Sequence, residues 1–137
     1  MGYNRLAISA LALLVAMPLA SCRDVSAPVE SNLVGSWHLQ RINGQELPFV
    51  TALSASSRSD ILAADIVINA DGTMATSQTS KTTVGSTAVI ETDGSRGTWF
   101  RSGNTLTLYS SGASLAVRIN GSELSYDLDG YGMIFTR

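Results

Sequence analysis

From Leu33 onward, apolar and polar residues alternate with a period of two, and pairs ending in glycine interrupt the alternation. A period of two predicts β-strands with one buried face, because successive side chains of a strand point to opposite sides. The interrupting pairs favour tight hairpin turns. They are Asn43-Gly44, Asp71-Gly72, Asn120-Gly121 and Asp129-Gly130. No segment of this region has the period of a long helix, so the pattern predicts an all-β domain.

The pattern predicts eight or nine short strands joined in sequence. The count depends on whether residues 86–91 and 95–101 form two strands or one strand bent at Thr92-Asp93-Gly94. Residues 49–60 are rich in Ser and Ala without strand periodicity, and we predict a loop there with room for one helical turn. The remaining predicted strands cover residues 33–42, 61–70, 73–83, 104–110, 115–119, 124–128 and 131–135.

A sheet of sequential antiparallel strands must close into a barrel or fold into a sandwich to cover its edges. With an even strand count the last strand can pair antiparallel with the first, which favours a small up-and-down barrel. Trp37 then shares the inward face with Leu39, and Arg137 shares it with Phe135 and Met133. We therefore expect the Arg137 guanidinium to lie over the Trp37 indole, a contact that contributes about 1–2 kcal/mol when partly desolvated.

The first 21 residues have the composition of a secretory leader. Arg5 precedes an apolar segment, residues 6–19, which is shorter than the ~20 residues that span a bilayer. The segment ends in Leu19-Ala20-Ser21-Cys22, which resembles the lipobox of bacterial lipoproteins. Cys22 is the only cysteine of the chain, so an intramolecular disulfide is excluded. An ordinary secretory signal with a coincidental cysteine is the alternative.

The lipobox resemblance implies cleavage after residue 21 and lipidation of Cys22. Arg23 stands where lipoproteins retained in the inner membrane of many enterobacteria carry Asp, which implies an outer membrane and a domain facing the periplasm. Residues 22–32 are polar, contain Pro28 and would form a flexible tether of about ten residues, ~35 Å when extended. Residues 33–137 form the predicted barrel domain.

Five short motifs occur in the same order as in small bacterial lipoproteins with a lipocalin-like domain, which the mature chain resembles. They are Gly35-Ser36-Trp37, the segment from Asn43 to Pro48, Asp71-Gly72-Thr73, Gly97-Thr98-Trp99 and Ile134-Phe135-Thr136-Arg137. The resemblance to lipocalins implies a structural role for Gly35, Trp37 and Arg137 at the barrel floor. These residues either plug the floor or contact a ligand. The chain is shorter than a typical lipocalin and lacks the flanking helix, which implies a small or absent cavity.

The resemblance suggests a membrane-tethered binding module that holds a small apolar or amphipathic ligand in the barrel mouth. The candidate lining residues are Trp99, Leu108, Leu115, Val117 and Tyr126, with residues 49–60 as a gate. The alternative is a structural or protein-interaction lipoprotein of the cell envelope, with a solid barrel and an inhibitor or assembly role. In that case its partner is an envelope protein and no small ligand is bound.

Residue types for catalysis and metal binding are scarce, so we expect neither an enzyme nor a cofactor or metal. His38 is the only histidine and falls on the outward face. With Cys22 lipidated, no zinc site of the usual kind can be assembled. The segment Asp127-Leu128-Asp129-Gly130 lacks the later acidic ligands of a calcium loop and predicts a turn. Without the leader the chain has eight basic and eleven acidic groups and no basic run, so nucleic-acid binding is not expected.

The predicted strand at residues 73–83 is unusually polar, with Met74 and Ala75 as its apolar members. Such a strand cannot border a wholly dry core. It predicts a wet lumen suited to an amphipathic ligand, an exposed edge available for a partner strand, or a protruding hairpin that contributes little packing.

Overall fold

The computed structural model describes residues 32–137. The predicted leader, the lipidation of Cys22 and the tether up to residue 31 lie outside the described residues. Within the described part, secondary structure consists of ten strands, and no helix long and apolar enough to cross a bilayer is found. The strands are β1 (Gly35–Ile42), β2 (Gln45–Glu46), β3 (Phe49–Leu53), β4 (Ser57–Ile68), β5 (Thr73–Val84), β6 (Thr87–Ser102), β7 (Thr105–Ser110), β8 (Ala113–Asn120), β9 (Glu123–Leu128) and β10 (Tyr131–Thr136).

Eight of these strands form a closed antiparallel ring, as predicted. From β4 to β10 each strand pairs with the next, and β1 closes the ring by pairing with both β4 and β10. Gly35 lies opposite Ile68 on one side, and Leu39 lies opposite Phe135 on the other. The end of the ring that contains Gly35 and Arg137 is called the floor below, and the opposite end is called the mouth.

Turn geometry explains two of the four predicted hairpin pairs directly. At Asn43-Gly44 and at Asp129-Gly130 both residues have positive φ, as a type I′ turn requires. At the other two pairs only the glycine has positive φ. At Asp71 the side chain stabilises the turn, because its Oδ1 accepts hydrogen bonds from the backbone N–H of Thr73 at 2.9 Å and from its hydroxyl at 2.6 Å.

The prediction of a loop at residues 49–60 is wrong. The segment contains β3 and the first residues of β4, which pair with each other from Phe49↔Ile61 to Leu53↔Arg58. Sequence periodicity missed these strands because only Phe49 and Asp60 are buried within residues 49–60 and Asp60 is charged, so no apolar alternation results and Ser and Ala occupy the exposed positions. Residues 86–101, predicted as either two strands or one bent strand, lie almost entirely in one continuous strand, β6.

A flat extension of the sheet projects beyond the mouth. It consists of β3 together with residues 57–63 of β4, 77–84 of β5 and 87–94 of β6, and we call it the wing. The polar strand β5 runs from the barrel into the wing. Its first half faces the lumen and its second half belongs to the protruding hairpin with β6, which explains why it is polar on both faces.

The core fills the floor end of the barrel and extends toward the mouth between β1, β4 and β10, where Ile42, Ile61 and Met133 are buried. Its largest fully buried side chains come from every part of the domain: Trp37, Phe135, Leu33, Ile42, Ile68, Leu106, Leu124 and Val117. A bulge between Leu39 and Arg41 turns Ile42 inward and Arg41 outward, although strict alternation places Arg41 on the Trp37 face. The ring and its buried cluster lie wholly between residues 33 and 136, so this segment has the core of an independently folding domain.

Candidate functional site

The floor of the barrel is closed by Trp37 and Arg137. The indole is 1% exposed, and its Nε1 donates a hydrogen bond of 2.9 Å to the carbonyl oxygen of Leu33. The guanidinium carbon of Arg137 lies 4.6 Å from the centre of the indole ring. Because Trp37 is tied to the chain below it and covered by a cation, no path through the floor remains at this point.

Arg137 is held in place by backbone carbonyls. Its Nη2 donates to the carbonyl oxygen of Val34 at 3.0 Å and also to that of Asn32. Gly35, between these carbonyls and Trp37, has a φ of 137°, which residues with a Cβ rarely adopt. The three residues predicted at the floor therefore form one unit in which the glycine lets the chain turn under the guanidinium.

The mouth contains an open cup with a volume of about 540 Å³. Its base is apolar and is formed by Ile66, Met74, Leu108, Leu115, Tyr126 and Phe135. Its rim is polar and is formed by Thr76, Gln78, Asp93, Ser95, Ser110 and Ser114. A cup of this size with an apolar base and a few polar groups above it has the usual character of a small-molecule site.

Three of the five predicted lining residues, Leu108, Leu115 and Tyr126, line the cup. The other two lie elsewhere. Trp99 faces the floor half, where its Nε1 donates to the carbonyl oxygen of Asn69 at 2.9 Å, and Val117 is completely buried in the core. None of residues 49–60 lines the cup, so the predicted gate is not positioned over it.

Most of the polar rim was not identified from the sequence. Met74, Thr76 and Gln78 alternate along β5 and face inward, as do Asp93 and Ser95 on β6. The hydroxyls of Thr76 and Ser95 lie 2.9 Å apart across the two strands. The alternation of β5 was visible in the sequence, but which polar face points inward could be assigned only from its pairing with β4 and β6.

The barrel wall is open between β8 and β9 near the mouth. Their pairing runs only from Asn120↔Glu123 to Arg118↔Ser125, whereas the neighbouring ladders continue to the ends of these strands. Outside this slit lies a groove of about 230 Å³, lined by Thr105, Ala116, Val117, Arg118, Ser125, Tyr126 and Asp127. Tyr126 lines both the groove and the cup.

Among the cup residues, Tyr126 has the hydroxyl best placed to hydrogen-bond a ligand. Its ring stacks on Phe135, with centres 5.6 Å apart and planes 22° apart. Burial raises the pKa of its hydroxyl above the ordinary 10.0, so the group is a neutral donor at physiological pH. Within residues 32–137 no side chain or backbone group hydrogen-bonds this hydroxyl, which leaves it available to a molecule in the cup.

His38 lies on the outer wall, as predicted from the alternation of β1. Its Nδ1 is 2.5 Å from Oδ1 of Asp65, and the hydroxyl of Ser77 donates to the other carboxylate oxygen at 3.4 Å. The carboxylate stands between the imidazole and the hydroxyl, whereas a serine nucleophile needs the imidazole in that position. The arrangement is that of a hydrogen-bonded pair on the protein surface.

Two further features of the described residues bear on binding. Within residues 32–137, no three His, Cys, Asp or Glu side chains converge as a metal site would require. A groove of about 510 Å³ also lies on the outer wall beside β1 and β10, lined in part by Arg41, Glu46 and Glu123. Its charged lining and position outside the ring make it a poorer site for an apolar ligand than the cup.

Comparison with family models, curated proteins and solved structures found no match for this chain. The class of the protein therefore follows from its geometry. It is a closed eight-stranded, up-and-down antiparallel barrel with two additional strands, consistent with a calycin-like fold.

Proposed function

We propose that this chain is a lipocalin-like binding module, tethered to a bacterial membrane through a lipid on Cys22, that holds a small amphipathic molecule in the cup. The observation that carries the proposal is the open cup at the mouth, which the packed core beside and below it leaves unfilled. A barrel with a purely structural role gains nothing from leaving its mouth unfilled, because every unfilled apolar surface loses packing contacts.

The composition of the cup indicates the class of ligand. The base offers aliphatic and aromatic contacts to an apolar body, and the Tyr126 hydroxyl and the serine and threonine rim offer hydrogen bonds to a polar end. Asp93 is a charged side chain of this rim, which disfavours an anionic group beside it. The ligand we expect is therefore largely apolar with a neutral or cationic polar end.

Binding can be tested with N-phenyl-1-naphthylamine, an apolar fluorescent amine, on residues 23–137, the part of the chain that contains the ring and its core. We expect a saturable fluorescence increase with one probe per chain. Leu115→Trp places an indole in the cup from a half-buried position and should weaken binding by at least about tenfold, or ~1.4 kcal/mol.

Tyr109→Trp is the matched control, since Tyr109 is 47% exposed on the outer face of the adjacent strand β7. It should leave probe affinity unchanged. A linear, unsaturable response of the unsubstituted protein, or equal weakening by the two tryptophans, would count against the cup.

The tether is tested separately by membrane fractionation of the full chain. Cys22→Ser removes the sulfur that would carry the lipid and should move the protein from the membrane to the soluble fraction. Ser21→Ala keeps a small residue beside the expected cleavage site and should leave the protein on the membrane. Retention of the Cys22→Ser protein on membranes would contradict lipid anchoring at this residue.

The second candidate is the envelope protein-interaction role. It is favoured by one observation, the unpaired outer edge of β6 in the wing, since such an edge can accept a strand from another chain.

A further inference from the structure

The outer edge of β6 is unpaired over more than half of its length. β6 has 16 residues, and β7 pairs only with its end, from Thr98↔Tyr109 to Ser102↔Thr105. The hydroxyl of Ser110 donates to the carbonyl oxygen of Arg96 and covers the position just before this ladder. Among the described residues, nothing pairs with the edge along residues 87–95.

The register of β6 determines which of its backbone groups face this edge. The N–H of Trp99 donates to the carbonyl oxygen of Gly72, so Trp99 directs its backbone groups toward β5. The ladder between β5 and β6 is unbroken from Thr73↔Thr98 to Val84↔Thr87. Backbone groups alternate in direction along a strand, so the even-numbered residues of β6 point away from β5. The bond accepted by Arg96 from Ser110 agrees with this assignment.

The free edge therefore presents the N–H and C=O groups of Ala88, Ile90, Thr92 and Gly94. Its side chains do little to protect it. Ile90 is 63% exposed and Val89 is 50% exposed, and residues 87–95 contain no Pro or Lys. Soluble proteins usually protect long edges with such residues, because an open edge pairs readily with another strand.

We propose that the β6 edge pairs antiparallel with the same edge of a second copy of this chain, across a two-fold axis at Ile90. Such an axis stands perpendicular to the joined sheet and keeps each face on its own side. Hydrogen-bonded pairs then form between even-numbered residues: Ile90 with Ile90 of the second copy, and Ala88 with Thr92 of the second copy in both directions.

Charge excludes the registers with an axis at residues 91 to 93. With the axis at Ile90, Glu91 lies opposite Val89 of the second copy and Asp93 lies opposite Thr87. An axis at residue 91 would place Glu91 opposite Glu91 of the second copy, and an axis at residue 93 would do the same for Asp93. An axis at residue 92 would place Glu91 opposite Asp93 of the second copy. Like charges that face each other across strands are destabilising. Axes nearer residue 87 shorten the ladder, and axes beyond residue 93 bring the second copy against β7.

The pairing also ends with two copies. Each copy contributes the same edge, so neither β6 edge remains open afterwards. Pairing of β6 with β3 of another copy would instead leave open edges and continue indefinitely. The shorter length of β3, five residues, makes this alternative ladder weaker.

The mass of residues 23–137 in solution tests the proposal. Light scattering over a concentration series should show a twofold increase in mass. Ile90→Lys brings two cations together at the axis, and Ile90→Pro removes an edge N–H without removing a bond to β5, so both should remain monomeric. Phe100→Lys is the matched control: Phe100 is 62% exposed on the part of β6 that pairs with β7, and this variant should still double in mass.

Amide hydrogen exchange on the same samples reports the register. The amides of Ala88, Ile90 and Thr92 should exchange at least about tenfold more slowly in the dimer, whereas those of Val89 and Glu91 already bond to β5 and should change little. An unsubstituted protein that stays monomeric would overturn the proposal and leave the edge to a strand of a different protein. Growth beyond two copies, or a dimer that survives both substitutions of Ile90, would overturn it as well.

Discussion

At the scale of single residues, the floor of the barrel depends on three side-chain properties that the sequence displays. Gly35 permits a φ of 137°, Trp37 fills the floor, and the guanidinium of Arg137 covers the indole at 4.6 Å. These residues come from the two ends of the domain, so their contact exists only when the ring is closed.

Trp37→Ala should lower the free energy of unfolding by about 3–5 kcal/mol, because it removes a large, fully buried side chain and leaves a cavity. Urea unfolding of residues 23–137 measures the change. Phe100→Ala, at an exposed position, should change stability by less than about 0.5 kcal/mol. Equal losses from the two substitutions would mean that Trp37 is not a core residue.

The contact between Trp37 and Arg137 could be predicted from the sequence, whereas the orientation of Arg41 could not. The alternation of inward and outward residues along the first and last strands, together with closure of the ring, is sufficient to predict the contact between Trp37 and Arg137. The bulge between Leu39 and Arg41 adds one residue to one strand and changes no composition, so alternation alone assigns Arg41 to the wrong face.

At the scale of elements, β6 connects the barrel to the wing. Its ladder with β5 is uninterrupted, whereas its ladder with β7 ends at Thr98. Gly97 is therefore the residue at which β6 and β7 separate. A Cβ at Gly97 would overlap the carbonyl oxygen of Tyr109, which is backbone and cannot move aside.

Gly97→Ala should therefore destabilise the fold by about 1–3 kcal/mol or more, through overlap at a packed position. Thermal and urea unfolding provide the measurement. Gly132→Ala is the comparison, because a Cβ there would approach side-chain oxygens of Asp127 and Asn43, which can rotate. The loss at Gly132 should be clearly smaller; a reversed order would show that the strands at Gly97 can adjust.

Sequence periodicity found the strands that carry apolar residues at alternate positions and missed β3 and the start of β4, which do not. In β3 and the first four residues of β4 only Phe49 and Asp60 are buried, so too few positions face the core to impose an apolar residue at every second place. The same reasoning applies to the cup, where Leu108 and Leu115 were identified as apolar inward residues but the polar rim was not.

At the scale of the whole molecule, stability depends on pH through Tyr126. Burial raises the pKa of its hydroxyl in the folded protein above the 10.0 of an exposed tyrosine. As pH rises past this ordinary value, the hydroxyl ionises first in the unfolded chain. This ionisation stabilises the unfolded state while the folded state still keeps its proton, so the free energy of unfolding falls. The stabilisation is thus complete below the ordinary pKa and is lost as pH rises through the raised one.

We expect the free energy of unfolding to fall as pH rises from the ordinary pKa of 10.0 through the raised pKa of Tyr126, and Tyr126→Phe should reduce the slope of this fall. Urea titrations at intervals across this range give the slope. Tyr109→Phe, at an exposed position, serves as the comparison and should keep the original slope. Identical slopes for the protein and its Tyr126→Phe variant would place this hydroxyl in water.

The bond from Arg137 to the carbonyl oxygen of Asn32 brings the first and last described residues together beneath the barrel. Asn32 and Arg137 therefore both lie on the side of the barrel away from the cup and the wing. In residues 32–137 taken alone, a fluorescent protein or a surface-immobilisation handle can be fused at Asn32 or at Arg137 while leaving the cup and the β6 edge unobstructed.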